Sequence, residues 1–222
     1  MHLIDNYKKY EMQKPDSLIF DMDGTLWDAI DTYAAAWNES FKQLNIDRII
    51  NKEIFAGIMG WEKKKALEHM LPEYEETVRE TIYENVVKTQ DSLIPKIGGT
   101  LYEQVKEGIA DLSTQYKIFI VSNCPKDTIK QFINWSGLAP FVTDEMAHGV
   151  NSKPKHHNIK LIIEKHNLQS TVYIGDTDSD RIQSELAGVP FAFVSYGFGK
   201  TDKYDIKFDS FHELTNYFMH LK

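Results

Sequence analysis

Short apolar runs that end in polar or glycine residues recur along the chain. They fall at residues 17–20, 116–121, 141–142, 171–174 and 190–194. Runs of this length, bounded by turn formers, predict buried strands. Amphipathic segments at 101–112, 127–135, 156–166 and 179–187 lie between most of them. Strands alternating with helices predict an α/β fold: a doubly wound parallel sheet with helices on both faces. In such sheets ligands bind outside the carboxyl ends of the strands. Near the end of the chain, Phe211, Leu214, Tyr217, Phe218 and Leu221 share one helical face, which predicts a packing helix over 210–221.

The pattern changes between residues 31 and 91. Residues 33–44, 61–70 and 73–88 carry helical periodicity, and no strand pattern interrupts them. Leu71-Pro72 breaks the helical run. Ile94-Pro95-Lys96-Ile97-Gly98-Gly99 reads as the return into the sheet. The expected organisation is a core of 1–30 and 92–222 carrying a helical insertion, a cap, at 31–91. Residues 1–15 are polar and mixed, and read as a short leading arm.

A length of 222 residues suits one domain with a modest insertion, and 42% hydrophobic residues can build its core. The net charge of -8 disfavours nucleic acid as a partner. An anionic ligand must then meet local donors or a cation. Cys124 is the only cysteine, so no internal disulfide forms. The first ten residues lack the apolar run of a signal peptide, and no stretch is long enough to span a bilayer. The expectation is a cytoplasmic protein without a membrane partner, with monomer and homodimer both open. The triplets Asn38-Glu39-Ser40 and Asn134-Trp135-Ser136 fall in expected helices and read as chance glycosylation patterns.

Four segments near expected strand ends carry candidate chemistry. In Asp21-Met22-Asp23-Gly24-Thr25-Leu26 two carboxylates directly follow an apolar strand. Crowding like charges there is costly unless a cation or reaction partner compensates. A solvated acidic turn would explain one aspartate but not the pair. Ser122 and Asn123, after the 116–121 run, could hold a phosphate oxygen, although Ser-Asn is also common turn chemistry. Lys153, before Pro154, could neutralise phosphate charge; alone it looks like any surface lysine. Asp176, Asp178 and Asp180 follow the 171–174 run, and such hard oxygen ligands suit Mg2+. An acidic loop capping the next helix would also account for Asp178 and Asp180.

In this order the four segments resemble the haloacid dehalogenase superfamily. Asp21 to Leu26 match its first motif, Ser122 the second, Lys153 the third, and Gly175-Asp176 with Asp180 the fourth. Leu26-Trp27-Asp28, Ala187-Gly188-Val189-Pro190 and Tyr196-Gly197-Phe198-Gly199 are similar to its phosphoglycolate phosphatase-like members. The resemblance implies a phosphatase with Asp21 as nucleophile and Asp23 as acid/base. Thr25, Ser122 and Asn123 would bind phosphate, and Lys153 would share its charge. Mg2+ would be held by Asp21, the Asp23 carbonyl and Asp176, with Asp180 a ligand through water or a partner of the lysine. An acid at Asp23 favours ester hydrolysis over dehalogenation. A phosphomutase of the β-phosphoglucomutase type ranks lower, because the candidate specificity loop, with Gly57, Met59 and Trp61, holds no Arg or Lys for a second phosphate. A non-catalytic phosphate-binding protein on the same frame is the other alternative. The implied partner is a small phosphorylated metabolite.

Overall fold

The computed structural model describes residues 12–222. Most of the leading arm therefore lies outside the described residues. Strand β1 (Ser17–Phe20) opens the core and is buried along its whole length. After β2 (Trp27–Asp28) come four helices: α1 (Ile30–Gln43), α2 (Lys52–Ala56), α3 (Lys63–Met70) and α4 (Glu76–Ile97). The chain continues through β3 (Thr100–Leu101), α5 (Val105–Ser113), β4 (Lys117–Ser122) and α6 (Thr128–Ser136). Next are β5 (Asp144–Ala147), α7 (His148–Asn151), α8 (Lys155–His166) and β6 (Thr171–Gly175). Last are α9 (Asp178–Ala187), β7 (Phe191–Val194), β8 (Ile206–Phe208) and α10 (Phe211–His220).

Among the described residues the main sheet has six strands in the order β5-β4-β1-β6-β7-β8, all parallel. The alternation of β1 divides the core in two. Leu18 and Phe20 join the cluster under α5, α6 and α10, while Ile19 joins Ile159, Ile162 and Tyr173 under α8. The first cluster continues into the insertion through Trp37, Phe41, Leu67 and Val86. β1 lies between β4 and β6, so the chain switches direction across the sheet at its centre. This is where a doubly wound sheet leaves a crevice at its carboxyl edge.

Several expected elements shift. The strand placed at 141–142 lies instead at Asp144–Ala147, where an acidic, half-buried edge strand carries no apolar run. The return at Ile94-Pro95-Lys96-Ile97-Gly98-Gly99 begins inside a helix, because α4 runs through Pro95 to Ile97 and stops at Gly98 with φ 59, just before β3. β8 at the other sheet edge, the short helices α2 and α7, and the two-residue pairing of β2 with β3 gave no usable period.

Candidate active site

The sheet carries the site on its three central strands. Asp21 follows β1, Ser122 ends β4 and Asp176 follows β6. The Asp21 N–H donates to the Ile174 carbonyl at 2.8 Å, which extends the β1–β6 pairing into the acidic loop. Gly24 has φ +81, and a Cβ there would lie 2.2 Å from Asp176 Oδ2. Only glycine lets these two acidic loops approach so closely.

Four charged groups meet in this crevice with almost no solvent exposure. Lys155 Nζ lies 2.6 Å from Asp180 Oδ1 and 3.1 Å from Asp21 Oδ2. The other Asp180 oxygen accepts from the Thr177 N–H at 3.1 Å and its hydroxyl at 2.6 Å, closing a capping box at the start of α9. Asp176 Oδ2 accepts from the Phe198 N–H at 2.7 Å, and Thr25 Oγ1 donates to its other oxygen at 3.4 Å.

Asp23 stands at the cavity wall. Its Oδ1 accepts from Trp27 Nε1 at 2.9 Å and from the Tyr33 hydroxyl at 2.8 Å. Burial, with the Asp21 charge, pushes the Asp23 carboxyl up to about 7. Burial likewise raises Asp21 to about 6 against the attraction of Lys155, and burial beside Asp180 and Asp21 raises Asp176 well above the carboxylate range. Burial works to lower Lys155, but the charges of Asp180 and Asp21 outweigh it and hold the ammonium form.

Lys153 corrects the sequence expectation. It is exposed in the turn before α8, where its N–H donates to Asn151 Oδ1 at 2.9 Å. Pro154 is the N-cap of α8, and the first helical residue, Lys155, enters the site instead. A lysine opposing a helix N-terminus is unfavourable by itself; here two carboxylates hold it.

The donor set fits a hard divalent cation. Asp21, Asp176 and Asp180 each bring a carboxylate oxygen within 4.8 Å of the others. Asp21 Oδ1 is buried and has no hydrogen-bond partner among the described residues. One ammonium among these buried carboxylates leaves negative charge uncompensated. Asp180 is occupied by Lys155 and Thr177, which favours it as the lysine's partner over a direct ligand.

A cavity of about 490 Å³ opens from Asp21 and Asp23 toward the insertion. Ser122 and Asn123 line it on the sheet side. Asn123 Nδ2 donates to the Gly60 carbonyl at 3.5 Å, and its Oδ1 is buried without a partner among the described residues. Met59 and Trp61 line the opposite wall. Gly57 does not line it: it caps α2 at φ -67, a conformation open to any residue. Gly60, at φ +78, is the loop glycine that lines the cavity. Sequence reasoning missed Tyr33 as a partner of Asp23. Its one signal is a phenol one turn into the first helix of the insertion. His156 makes its contact with Gln183, 2.8 Å away, outside this cavity, and Cys124 is buried with its thiol raised by burial.

The family model of haloacid dehalogenase-like hydrolases matches residues 18–194, which include every acidic and basic group just described. The chain belongs to this family. Among curated relatives of these hydrolases, the pyrophosphatase PpaX of Listeria monocytogenes is 26% identical over 188 residues, covering 81% of this chain and 85% of its own. The phosphoglycolate phosphatase of Aquifex aeolicus is 26% identical over 193 residues, covering 82% and 86%. A haloacid dehalogenase-like family hydrolase from Streptococcus pneumoniae shares the fold with a TM-score of 0.81 at 19% identity, covering 93% of this chain and 100% of its own. This chain is a haloacid dehalogenase-like hydrolase whose curated relatives carry phosphatase names. No helix among the described residues is long and apolar enough to cross a membrane.

Proposed function

We propose that the chain is a Mg2+-dependent phosphatase that transfers the phosphoryl group of a small phosphomonoester first to Asp21 and then to water. The observation that carries this reading is the buried contact of Asp21 with Lys155, with Asp23 raised toward neutrality beside it. A carboxylate nucleophile needs its charge held in place, and a leaving alkoxide needs a nearby acid.

In the first step an Asp21 oxygen attacks phosphorus, the bond from phosphorus to the leaving oxygen breaks, and Asp23 gives that oxygen its proton. In the second step Asp23 takes a proton from water as the water oxygen attacks the aspartyl-phosphate. Inorganic phosphate leaves and Asp21 is restored. Lys155 fixes the Asp21 rotamer and, with the Ser122 hydroxyl and backbone N–H groups, shares the charge of the transferring group. Asp21 and Asp176 would hold Mg2+, with the Asp23 carbonyl as the further ligand that the family resemblance implies. When bound, the cation neutralises charge on the phosphoryl oxygens. Trp27 and Tyr33 both engage one oxygen of Asp23, which leaves the other for the proton.

The two named relatives agree on transfer of a phosphoryl group to water and differ in substrate, so the names alone do not choose a substrate. The test is turnover of 4-nitrophenyl phosphate by the purified protein with Mg2+ and with EDTA, for the wild type and Asp21→Asn. Turnover that needs both the metal and Asp21 is expected. Activity in Asp21→Asn close to wild type would remove Asp21 as nucleophile. Absence of turnover, together with no uptake of beryllium fluoride, would favour a binding protein.

A further inference from the structure

The insertion's share of the cavity wall is mostly aromatic and aliphatic. Tyr33 and Trp37 come from α1, Phe55 from α2, Trp61 from the loop before α3, Leu67 from α3 and Tyr83 from α4. Phe55 lies 5.8 Å from the Tyr33 ring and Tyr83 lies 6.4 Å from the Trp37 ring, so these side chains form connected aromatic walls.

The cations in this wall are already engaged or lie in water. Lys63 Nζ is 2.8 Å from Glu80 Oε2 and sits over the Tyr83 ring. Lys65, just outside the cavity, lies 3.9 Å over the face of Trp61. Burial and the nearby Lys63 keep His148 on the neutral side. Lys88 and Lys126 reach the cavity only from exposed positions, where solvent screens them. Glu80 is neutralised by Lys63, and Glu84 lines the same wall from an exposed position, so neither adds a free cation.

We infer that the leaving group of the substrate is uncharged and carries an aromatic ring or an apolar body of similar size. A second anionic group, such as the carboxylate of phosphoglycolate or the second phosphate of pyrophosphate, would be buried against this wall without a free cation, which is costly. A flat apolar group would instead cover the aromatic walls and displace water from them. The inference rests on the phosphatase reading of the same site.

The experiment measures kcat/KM with Mg2+ for benzyl phosphate, ethyl phosphate, 2-phosphoglycolate and pyrophosphate. Benzyl and ethyl phosphate both release alkoxides, so their comparison isolates the ring. Benzyl phosphate is expected to exceed each of the others by roughly tenfold or more. Glu80→Gln frees Lys63, and Glu80 is half exposed, so the variant should fold. That change is expected to raise the ratio of 2-phosphoglycolate to benzyl phosphate by about tenfold. Turnover that favours 2-phosphoglycolate or pyrophosphate in the wild type overturns the inference and leaves the phosphatase reading standing. An unaltered ratio in Glu80→Gln overturns the charge argument. No turnover of any of the four, with 4-nitrophenyl phosphate still cleaved, overturns the inference alone; no turnover of any of the five takes both readings down.

Discussion

Replacing Lys155 by Met asks which of two neighbouring lysines serves the site. The ammonium is 2.6 Å and 3.1 Å from two carboxylates that are themselves almost fully buried. At an effective dielectric near 20, each contact is worth about 5–6 kcal/mol of gross attraction at these distances. Desolvation of the ions offsets much of it, so the measurable quantity is the cost of stranding one side. Removing one partner of a buried ion pair costs about 3–5 kcal/mol. For a chain of this size that is a fall in melting temperature of roughly 6–20 °C. Protonation of Asp21, already raised to about 6, will soften the fall at lower pH. Activity should drop further than stability explains, by roughly 10²–10³ in kcat at a temperature where the variant is folded. Lys153→Met, in the exposed turn, should change the melting temperature by no more than about 1–2 °C and leave kcat near wild type. The assays are thermal melting by circular dichroism and steady-state turnover of 4-nitrophenyl phosphate. A Lys155→Met enzyme with normal kcat, or a Lys153→Met enzyme without activity, would refute the assignment.

Other outcomes follow from the same site. Mg2+ should raise the melting temperature of the wild type, and Asp176→Asn should abolish most of that rise; an equal rise in the variant would place the cation elsewhere. Asp23 binds its proton more tightly in the folded state, so its contribution to folding is present below about pH 4 and is lost as pH rises to about 7. In EDTA, Asp23→Asn should therefore gain stability relative to wild type between pH 5 and pH 8, and a gap that stays constant would contradict the shift. As the proton donor, Asp23 should also make kcat fall as pH rises through about 7, unless water attack on the aspartyl-phosphate limits the rate. Tyr33→Phe removes one of two donors to Asp23 and should lower kcat by up to about tenfold with a smaller change in KM; a purely structural tyrosine would instead move the melting temperature alone.

The central strands and their acidic ends were readable because they combine two unlike signals. An apolar run predicts burial, and Asp21 or Asp176 at its end is then out of place unless chemistry requires it. The edge strands lack this contrast: Asp144–Ala147 is polar and half-buried, and Ile206–Phe208 is three residues long. The lysine was misplaced for a different reason. Lys153 and Lys155 flank Pro154, and only the position of the α8 N-cap decides which one turns inward. Tyr33 was invisible because its contact crosses from the insertion to the core, and no period along the chain encodes that approach. The insertion's wall of the cavity is assembled from four helices and a loop in the same way.

The pairing of β2 with β3 has a wider meaning. It joins the chain where it leaves the sheet domain to the chain where it returns, with Trp27 opposite Leu101 and Asp28 opposite Thr100. Gly99 approaches the Asp28 carbonyl so closely that a Cβ would lie 2.6 Å from it. Some seventy residues thus begin and end at one clasp, and loop-closure entropy rises only slowly with loop length. To the sheet, the helical excursion enters and leaves like the tip of one hairpin, and it joins the first core cluster through Trp37, Phe41, Leu67 and Val86. The Tyr33 hydroxyl on Asp23 and the Gly60 carbonyl under Asn123 tie its helices and loop to the site as well. The clasp therefore sets where the excursion starts and stops, and these contacts set how it lies over the cavity.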